Sequence, residues 1–378
     1  MKKIVALILT LTLAGMMLTG CGSKNTTFQI ALITDKGNID DKSFNQGSWE
    51  GVVAFCEEND IKDYQYIKPE EASDAGYLAA IDNAVTAGAK VIVTPGFLFE
   101  VPVYTAQTKY PDVKFILLDG APHTADYQYE TKANVASIMY AEEQSGYLAG
   151  YAAVKDGYTK LGFMGGMAVP AVVAFGYGYL QGVEAAAAEL GLADGSVAVT
   201  YHYTGDFAET DTNKATAKTM YQEGTQVIFA CGGSVGKSVM SAASESNGKV
   251  IGVDVDQRYD SETVITSATK GLGASVKTVL ESIYKTKSWD TYAGKTTYFN
   301  AANNGVSLPT VVLGDDKADA FDRFNTFDKA AYDAVYATLA SDSVSLIRTL
   351  TVADPNGIAT ADELTTGLNL KKVAVTTR

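Results

Sequence analysis

Cysteine and histidine are scarce, with three and two in 378 residues. Cys56 and Cys231 sit inside apolar patterns, and two thiols do not make the dense disulfide framework of a small exported scaffold, so both are expected to be buried and inert. No Cys-x-x-Cys pair occurs, and His123 and His202 lack metal-ligand spacing, which argues against a structural zinc. Basic residues are also in deficit: 30 Lys and Arg face 44 Asp and Glu, a formal net charge of -14. Such a chain repels phosphate backbones, and with no basic aromatic-rich tract a nucleic-acid partner is not expected. A Pro/Gly/Ser-rich break between halves is missing as well, which excludes two domains hung on one disordered tether. Finally, the apolar run from Ile4 to Leu18 falls short of the ~20 residues that a membrane-spanning helix needs.

That run follows Lys2 and Lys3 and ends in small residues, the layout of a secretory signal. Leu18-Thr19-Gly20-Cys21 resembles a bacterial lipobox. Residues 1–20 are therefore expected to be removed, leaving Cys21 lipidated and residues 21–27 as a polar tether to the extracytoplasmic face of the cell membrane. The alternative is an ordinary signal in which the Cys falls by chance. With 47% hydrophobic residues over this length, about two domains with a large core are expected.

After the tether, β-rich runs alternate with helical patterns. Phe28-Gln29-Ile30-Ala31-Leu32-Ile33, Val91-Ile92-Val93 and Lys114-Phe115-Ile116-Leu117-Leu118 are nearly continuous apolar runs, as strands buried on both faces require. Trp49, Val52, Val53 and Cys56 fall at i, i+3, i+4 and i+7, one face of a helix between two such strands. The alternation resumes at Leu161-Gly162-Phe163-Met164, Val197 to Tyr201, Val227 to Ala230 and Val250 to Val253, with helices predicted over Ala171–Leu190 and Thr212–Glu223. The fold class is α/β, with two doubly wound, mostly parallel sheets. From about Asn300 the pattern loosens, with one helix-like stretch near Phe321 to Leu339.

Ligands of open α/β sheets bind beyond the carboxyl ends of the strands. After the first strand comes Thr34-Asp35-Lys36-Gly37-Asn38-Ile39-Asp40-Asp41-Lys42-Ser43-Phe44-Asn45-Gln46, where Ser43 and Gln46 have capping-box spacing and predict a helix starting at Phe44. Phe44 is then a candidate stacking platform, or else packs on the adjoining loop; Asn45 either bonds a ligand or solvates the cap. Cys231-Gly232-Gly233-Ser234-Val235-Gly236-Lys237-Ser238 imitates a phosphate loop but misses its spacing by one residue. Gly176, Gly178 and Gly182 miss the dinucleotide spacing, so helix packing is the better account. Asp35, Asp40 and Asp41 lack the calcium-loop pattern.

Asp40-Asp41-Lys42-Ser43-Phe44-Asn45-Gln46 followed by Trp49-Glu50-Gly51 resembles the opening signature of the basic membrane lipoprotein family. Leu118-Asp119-Gly120, Glu142 to Gly150, Gly165-Gly166-Met167, Tyr203-Thr204-Gly205-Asp206-Phe207, Ile251-Gly252-Val253-Asp254 and Thr266 to Lys270 follow in the family's order. The resemblance implies a type I periplasmic-binding-protein fold with two Rossmann-like lobes, and nucleoside capture for ABC import. It further implies Phe44 and Phe207 on the two sides of the base, Asp35, Asn45 and Asp119 as polar groups near it, and Asp254 with Lys270 at the ribose hydroxyls. Gly232 would admit close backbone approach.

The expected lobes are 28–137 plus 263–290 and 138–262 plus 291–378, closing around the ligand. A purine-type nucleoside is the expected ligand, with an ABC permease and ATPase as partners, a lipid anchor and no cofactor. Other readings are a secreted nucleoside hydrolase, for which neither histidine has a motif context, or a lipoprotein for a sugar, a flavin or a protein partner.

Overall fold

The computed structural model describes residues 28–315 and 317–378. Cys21, the signal at 1–20 and the tether at 21–27 lie outside the described residues. The chain first lays down β1 (Ile30–Ile33), α1 (Phe44–Glu58), β2 (Tyr64–Ile67), α2 (Asp74–Thr86), β3 (Val91–Pro95), α3 (Glu100–Lys109), β4 (Lys114–Leu118) and β5 (Val135–Tyr140). A second run adds α4 (Glu142–Lys155), β6 (Lys160–Gly165), α5 (Pro170–Glu189), β7 (Val197–Tyr203), α6 (Asp211–Gln222), β8 (Val227–Cys231), α7 (Val235–Ser246), β9 (Lys249–Asp254) and β10 (Val264–Lys270). It then passes through α8 (Leu272–Tyr284), β11 (Lys295–Phe299), β12 (Val306–Ser307), α9 (Lys329–Ala340), α10 (Ala361–Gly367) and β13 (Val373–Thr377).

The strands form two sheets, β2-β1-β3-β4-β5-β11 and β13-β7-β6-β8-β9-β10-β12. Every pairing is parallel except β10 with β12. In each sheet the strand order reverses beside the first strand of the lobe, between β1 and β3 and between β6 and β8. A crevice opens at such reversals, beyond the carboxyl ends of the strands. Strands β1, β3 and β8 are buried along their whole length, which accounts for their unbroken apolar runs.

The expected lobe boundaries differ from these sheets in three places. β5 continues through Tyr140 in the first sheet, β10 belongs to the second, and β11 returns to the first beside β5. Val264–Lys270 stays with β9 because residues 255–263, which include a single helical turn at Gln257–Tyr259, form a short crossover that returns the chain parallel to β9 in the same sheet, and sequential strands are usually neighbours. The chain therefore crosses between lobes at Ala141, at Gly271 and between Phe299 and Val306. The first two crossings lead into α4, packed on α5, and α8, packed on α1.

The tail is more ordered than its pattern suggests. Helix α9 begins at Lys329, not near Phe321, because the Asp328 side chain accepts from the Ala331 N–H. Phe321, Phe324 and Phe327 pack on one another instead. Asp156 accepts from the N–H groups of Asn325, Thr326 and Phe327 and pins this turn to the second lobe. Beyond Ala340 the chain runs without regular structure to α10 and ends as β13 on the edge of β7. Among the described residues, no helix is long and apolar enough to cross a membrane.

Candidate functional site

All eight residues singled out from sequence line one cavity of about 750 Å³ between the lobes: Asp35, Phe44, Asn45, Asp119, Phe207, Gly232, Asp254 and Lys270. Both reversal points supply them. Asp35 follows β1, Asp119 follows β4 and Phe44 starts α1 in the first lobe, whereas Gly232 follows β8 and Asp254 and Lys270 end β9 and β10 in the second.

At the first lobe's edge, Asp41 organises the start of α1. Its carboxylate accepts from the N–H groups of Ser43, Asn45 and Gln46, a favourable place for negative charge at a helix N-terminus. The expected capping box does not form. Ser43 makes no side-chain cap and instead donates its hydroxyl to Asp254 Oδ2 across the cleft at 2.5 Å, and Gln46 bonds Glu50. A nearby carboxylate that satisfies three N–H groups at once outcompetes a hydroxyl that can satisfy one.

Asn45 also departs from expectation. Its Oδ1 accepts from the Asp35 N–H, and its Nδ2 donates to Asp35 and Asp41. Both amide hydrogens are engaged, so Asn45 holds Asp35 in place and offers the cavity at most one lone pair. Asp35 also accepts from the Gly37 N–H. Burial nevertheless pushes its carboxyl up to about 6, against the opposing pull of those hydrogen bonds.

Lys270 is the electrostatic centre. Its Nζ lies 2.5 Å from Asp119 Oδ2 and 3.6 Å from both Asp254 Oδ1 and Glu142 Oε1. It also sits 4.6 Å from the Phe44 ring centroid, within cation–π range. Burial works to lower the Lys270 pKa, but the surrounding carboxylates outweigh it and raise it. Burial pushes Asp254 up, and it pushes Glu142 up to about 7 with added repulsion from Asp119. Asp119 and Asp254 both hold left-handed backbone, φ 55° and 66°, a conformation Asp tolerates better than most side chains. Asp119 Oδ1 is buried and without a hydrogen-bond partner.

Across the cleft the lining is apolar: Val169, Pro170, Ala171, Val172 and Phe175 at the start of α5, with Phe207 beside them. Gly166 makes room for the Phe207 ring, since a Cβ there would overlap it. Gly232 lines the cavity, but its missing side chain is required first by the backbone of Gly166, whose nitrogen a Cβ would meet at 2.8 Å. Cys231 lines the cavity too; burial raises its thiol well above the usual range, and it stays protonated. Lys237 bonds the Asp40 carbonyl in the opposite lobe and does not line the cavity.

Sequence reasoning missed the apolar wall, Asp41 as helix organiser, and Glu142 with its partner Arg348, whose Nη2 lies 2.5 Å from Glu142 Oε2. Pro170 at the start of a helix was a legible signal for the wall. No local pattern announces Arg348.

The family model for Bmp, described as ABC transporter substrate-binding protein PnrA-like, matches residues 28–337. The chain is 31% identical over 340 residues to the ABC transporter nucleoside-binding protein BmpA of Lactococcus lactis subsp. cremoris, covering 82% of this chain and 92% of that one. It is 30% identical over 295 residues to basic membrane protein A of Borreliella burgdorferi, covering 77% and 82% respectively. Among solved structures, a solute-binding protein of an ABC transporter system from Aeropyrum pernix K1 superposes with a TM-score of 0.71 at 22% identity, covering 87% of this chain and 95% of that one. That likeness establishes the fold.

Proposed function

The chain belongs to the Bmp family of PnrA-like ABC transporter substrate-binding proteins, and from that premise we propose that its interlobe cavity captures a nucleoside, purine type first. The nucleoside would pass to a membrane permease driven by an ATPase, and Cys21 would carry the lipid anchor. Asp119 carries this reading: it lines the cavity, one of its carboxylate oxygens is buried without a partner, and buried acceptors demand a donor. A ligand hydroxyl or amine supplies one. Phe44 and Phe207 offer rings for a flat base from the two lobes.

Four carboxylates, Asp35, Asp41, Asp119 and Asp254, line the cavity with one ammonium, Lys270. This balance favours a neutral solute with several donors over a nucleotide, whose phosphate those carboxylates would repel.

The test is a thermal-shift and calorimetric panel of adenosine, guanosine, inosine, uridine, free bases, ribose, AMP and riboflavin. Purine nucleosides should raise the unfolding temperature most, since a ligand at a hundredfold its Kd adds ~2.7 kcal/mol. A response confined to ribose or riboflavin overturns the reading. After incubation, chromatography should return intact nucleoside; free base would reveal a hydrolase instead.

A further inference from the structure

Arg348 lies in the tail, beyond the 28–337 stretch that the family model matches, yet it reaches the charge cluster behind the cavity. Its Nη1 donates to the Tyr140 carbonyl at 2.8 Å and to Glu143, and its Nη2 donates to Glu142 Oε2 at 2.5 Å. Tyr140 ends β5 in the first lobe, and Glu142 and Glu143 begin α4 in the second. One guanidinium thus spans the crossing at Ala141.

The flanking chain is held firmly. Gln181 on α5 donates to the Ile347 carbonyl at 2.8 Å and accepts from the Ile347 N–H at 2.9 Å. Further on, Gly357 passes beside the Ala168 carbonyl, next to the cavity-lining Val169.

Glu142 is almost wholly inaccessible, its side chain 1% exposed, with the buried and protonated Tyr140 of β5 and Cys231 of β8 also facing it. Lys270 on β10 lies 3.6 Å from its Oε1, Arg348 holds its Oε2, and Asp119 after β4, Asp254 at the end of β9 and Glu143 on its own helix add negative charge nearby. Glu142 Oε1 makes no hydrogen bond. Three carboxylates therefore compete for the Lys270 ammonium, and Asp119 holds it at 2.5 Å against 3.6 Å for Glu142 and for Asp254.

We propose that the segment carrying Arg348 is a strap over the hinge, and that Arg348 is a positioning residue for the cavity. By satisfying Glu142 it leaves Lys270 with Asp119 and Asp254, where the ligand's donors are received. The strap's charge role stands by itself; its effect on affinity rests on the nucleoside reading.

Without Arg348, ionised Glu142 is a buried charge with one shared partner and draws Lys270 away from Asp119. Protonated Glu142 does not, so the defect depends on pH. In the full chain, Arg348→Gln should bind adenosine or guanosine about tenfold more weakly at alkaline pH, where Glu142 is ionised even without Arg348 to hold its carboxyl down; this is the loss of roughly one charge-assisted hydrogen bond, and the gap should narrow through neutral pH and close near pH 6. Arg348→Lys should recover part of the loss. Glu142→Gln should flatten the profile, and the double variant should lose clearly less than the sum of the two, because both changes remove the Arg348–Glu142 pair and only the Nη1 bonds to Tyr140 and Glu143 remain to be lost.

A readout without ligand separates this proposal from the nucleoside reading. The Glu142 carboxyl is raised from 4.5 to about 7, so the folded state holds its proton longer and stability falls as pH rises through that window. In Arg348→Gln the fall should extend to higher pH. Should wild type bind no nucleoside, this curve still decides the strap's role. Equal pH profiles for wild type and Arg348→Gln, or a double variant whose losses simply add, would overturn it; if Arg348→Gln does not fold, refolding in the double variant supports the proposal and continued misfolding refutes it.

Discussion

Phe207 and Asp254 put different physics into the same cavity. Phe207 is a half-buried ring on the loop after β7, seated over Gly166, so truncation removes little core. Phe207→Ala should cost ~1–3 kcal/mol of nucleoside binding if the ring stacks on a base, with the unfolding temperature of the free protein nearly unchanged. Asp254 accepts from Ser43 and neighbours Lys270; Asp254→Ala should weaken binding by ~1.5–3 kcal/mol. Calorimetric titration of both variants decides, and wild-type affinity in each would refute the site. Asp35 adds a pH signature. Its carboxyl is raised from 3.8 to about 6 by burial, so below that pH it is protonated and accepts a ligand donor more weakly, without the charge that strengthens the bond. A donor bonded to its ionised form lowers that value again, so binding should strengthen as pH rises from about 5 to 7 and release protons near pH 6. Titration in buffers of differing ionisation enthalpy reads this directly; proton uptake would mean that Asp35 donates.

Helices α4 and α5 show why some elements were legible and others not. Gly146 and Gly150 on α4 abut the backbone of Phe175 and Tyr179, while Gly178 and Gly182 on α5 abut that of Glu143 and Tyr147. A Cβ at any of the four would overlap the opposite main chain. Gly178→Val should therefore destabilise the fold by several kcal/mol, through overpacking of ~1–3 kcal/mol or more plus displacement of Glu143 from Arg348. Chemical denaturation measures it, and a loss below about 0.5 kcal/mol, typical of an uninvolved surface site, would contradict the packing. Sequence spacing suggested helix packing at Gly178 and Gly182 but could not name the partner. The doubly buried strands β1, β3, β4, β6, β8 and β9 were likewise visible as apolar runs, and β7 as an alternating one. β2, with its two exposed central residues, and β11, largely exposed at a sheet edge, were invisible because neither carries a continuous apolar run. All eight proposed site residues lie at or just beyond strand ends or begin a helix; position along the chain pointed to Phe44 and Asn45, and the family resemblance supplied the other six. Which lobe β10 joins, and which hydrogen bonds engage Asn45, depend on contacts between residues far apart in sequence.

The two lobes are clasped in this structure by contacts that an open form would break. Gln257 is the clearest. It is buried in the second lobe, where its Oε1 accepts from the Val253 N–H, and its Nε2 donates to the Lys42 carbonyl of the first at 2.7 Å. Lys237 donates to the Asp40 carbonyl at 3.1 Å, and Lys42 lies 3.5 Å from Asp260. The exposed Lys42–Asp260 pair contributes little by itself; the buried amide contributes more. Because such contacts exist only when the lobes meet, they add to ligand affinity by raising the population of the closed state. Gln257 does not itself line the cavity; Gln257→Leu removes this interlobe bond together with the one it accepts from the Val253 N–H. Nucleoside affinity should fall by roughly 0.5–1.5 kcal/mol, the net value of one hydrogen bond, chiefly through faster dissociation. Small-angle scattering should show wild type contracting on saturation with nucleoside and the variant needing more ligand to contract equally. Identical dissociation rates, or a wild type whose dimensions ignore ligand, would mean that closure is not linked to binding.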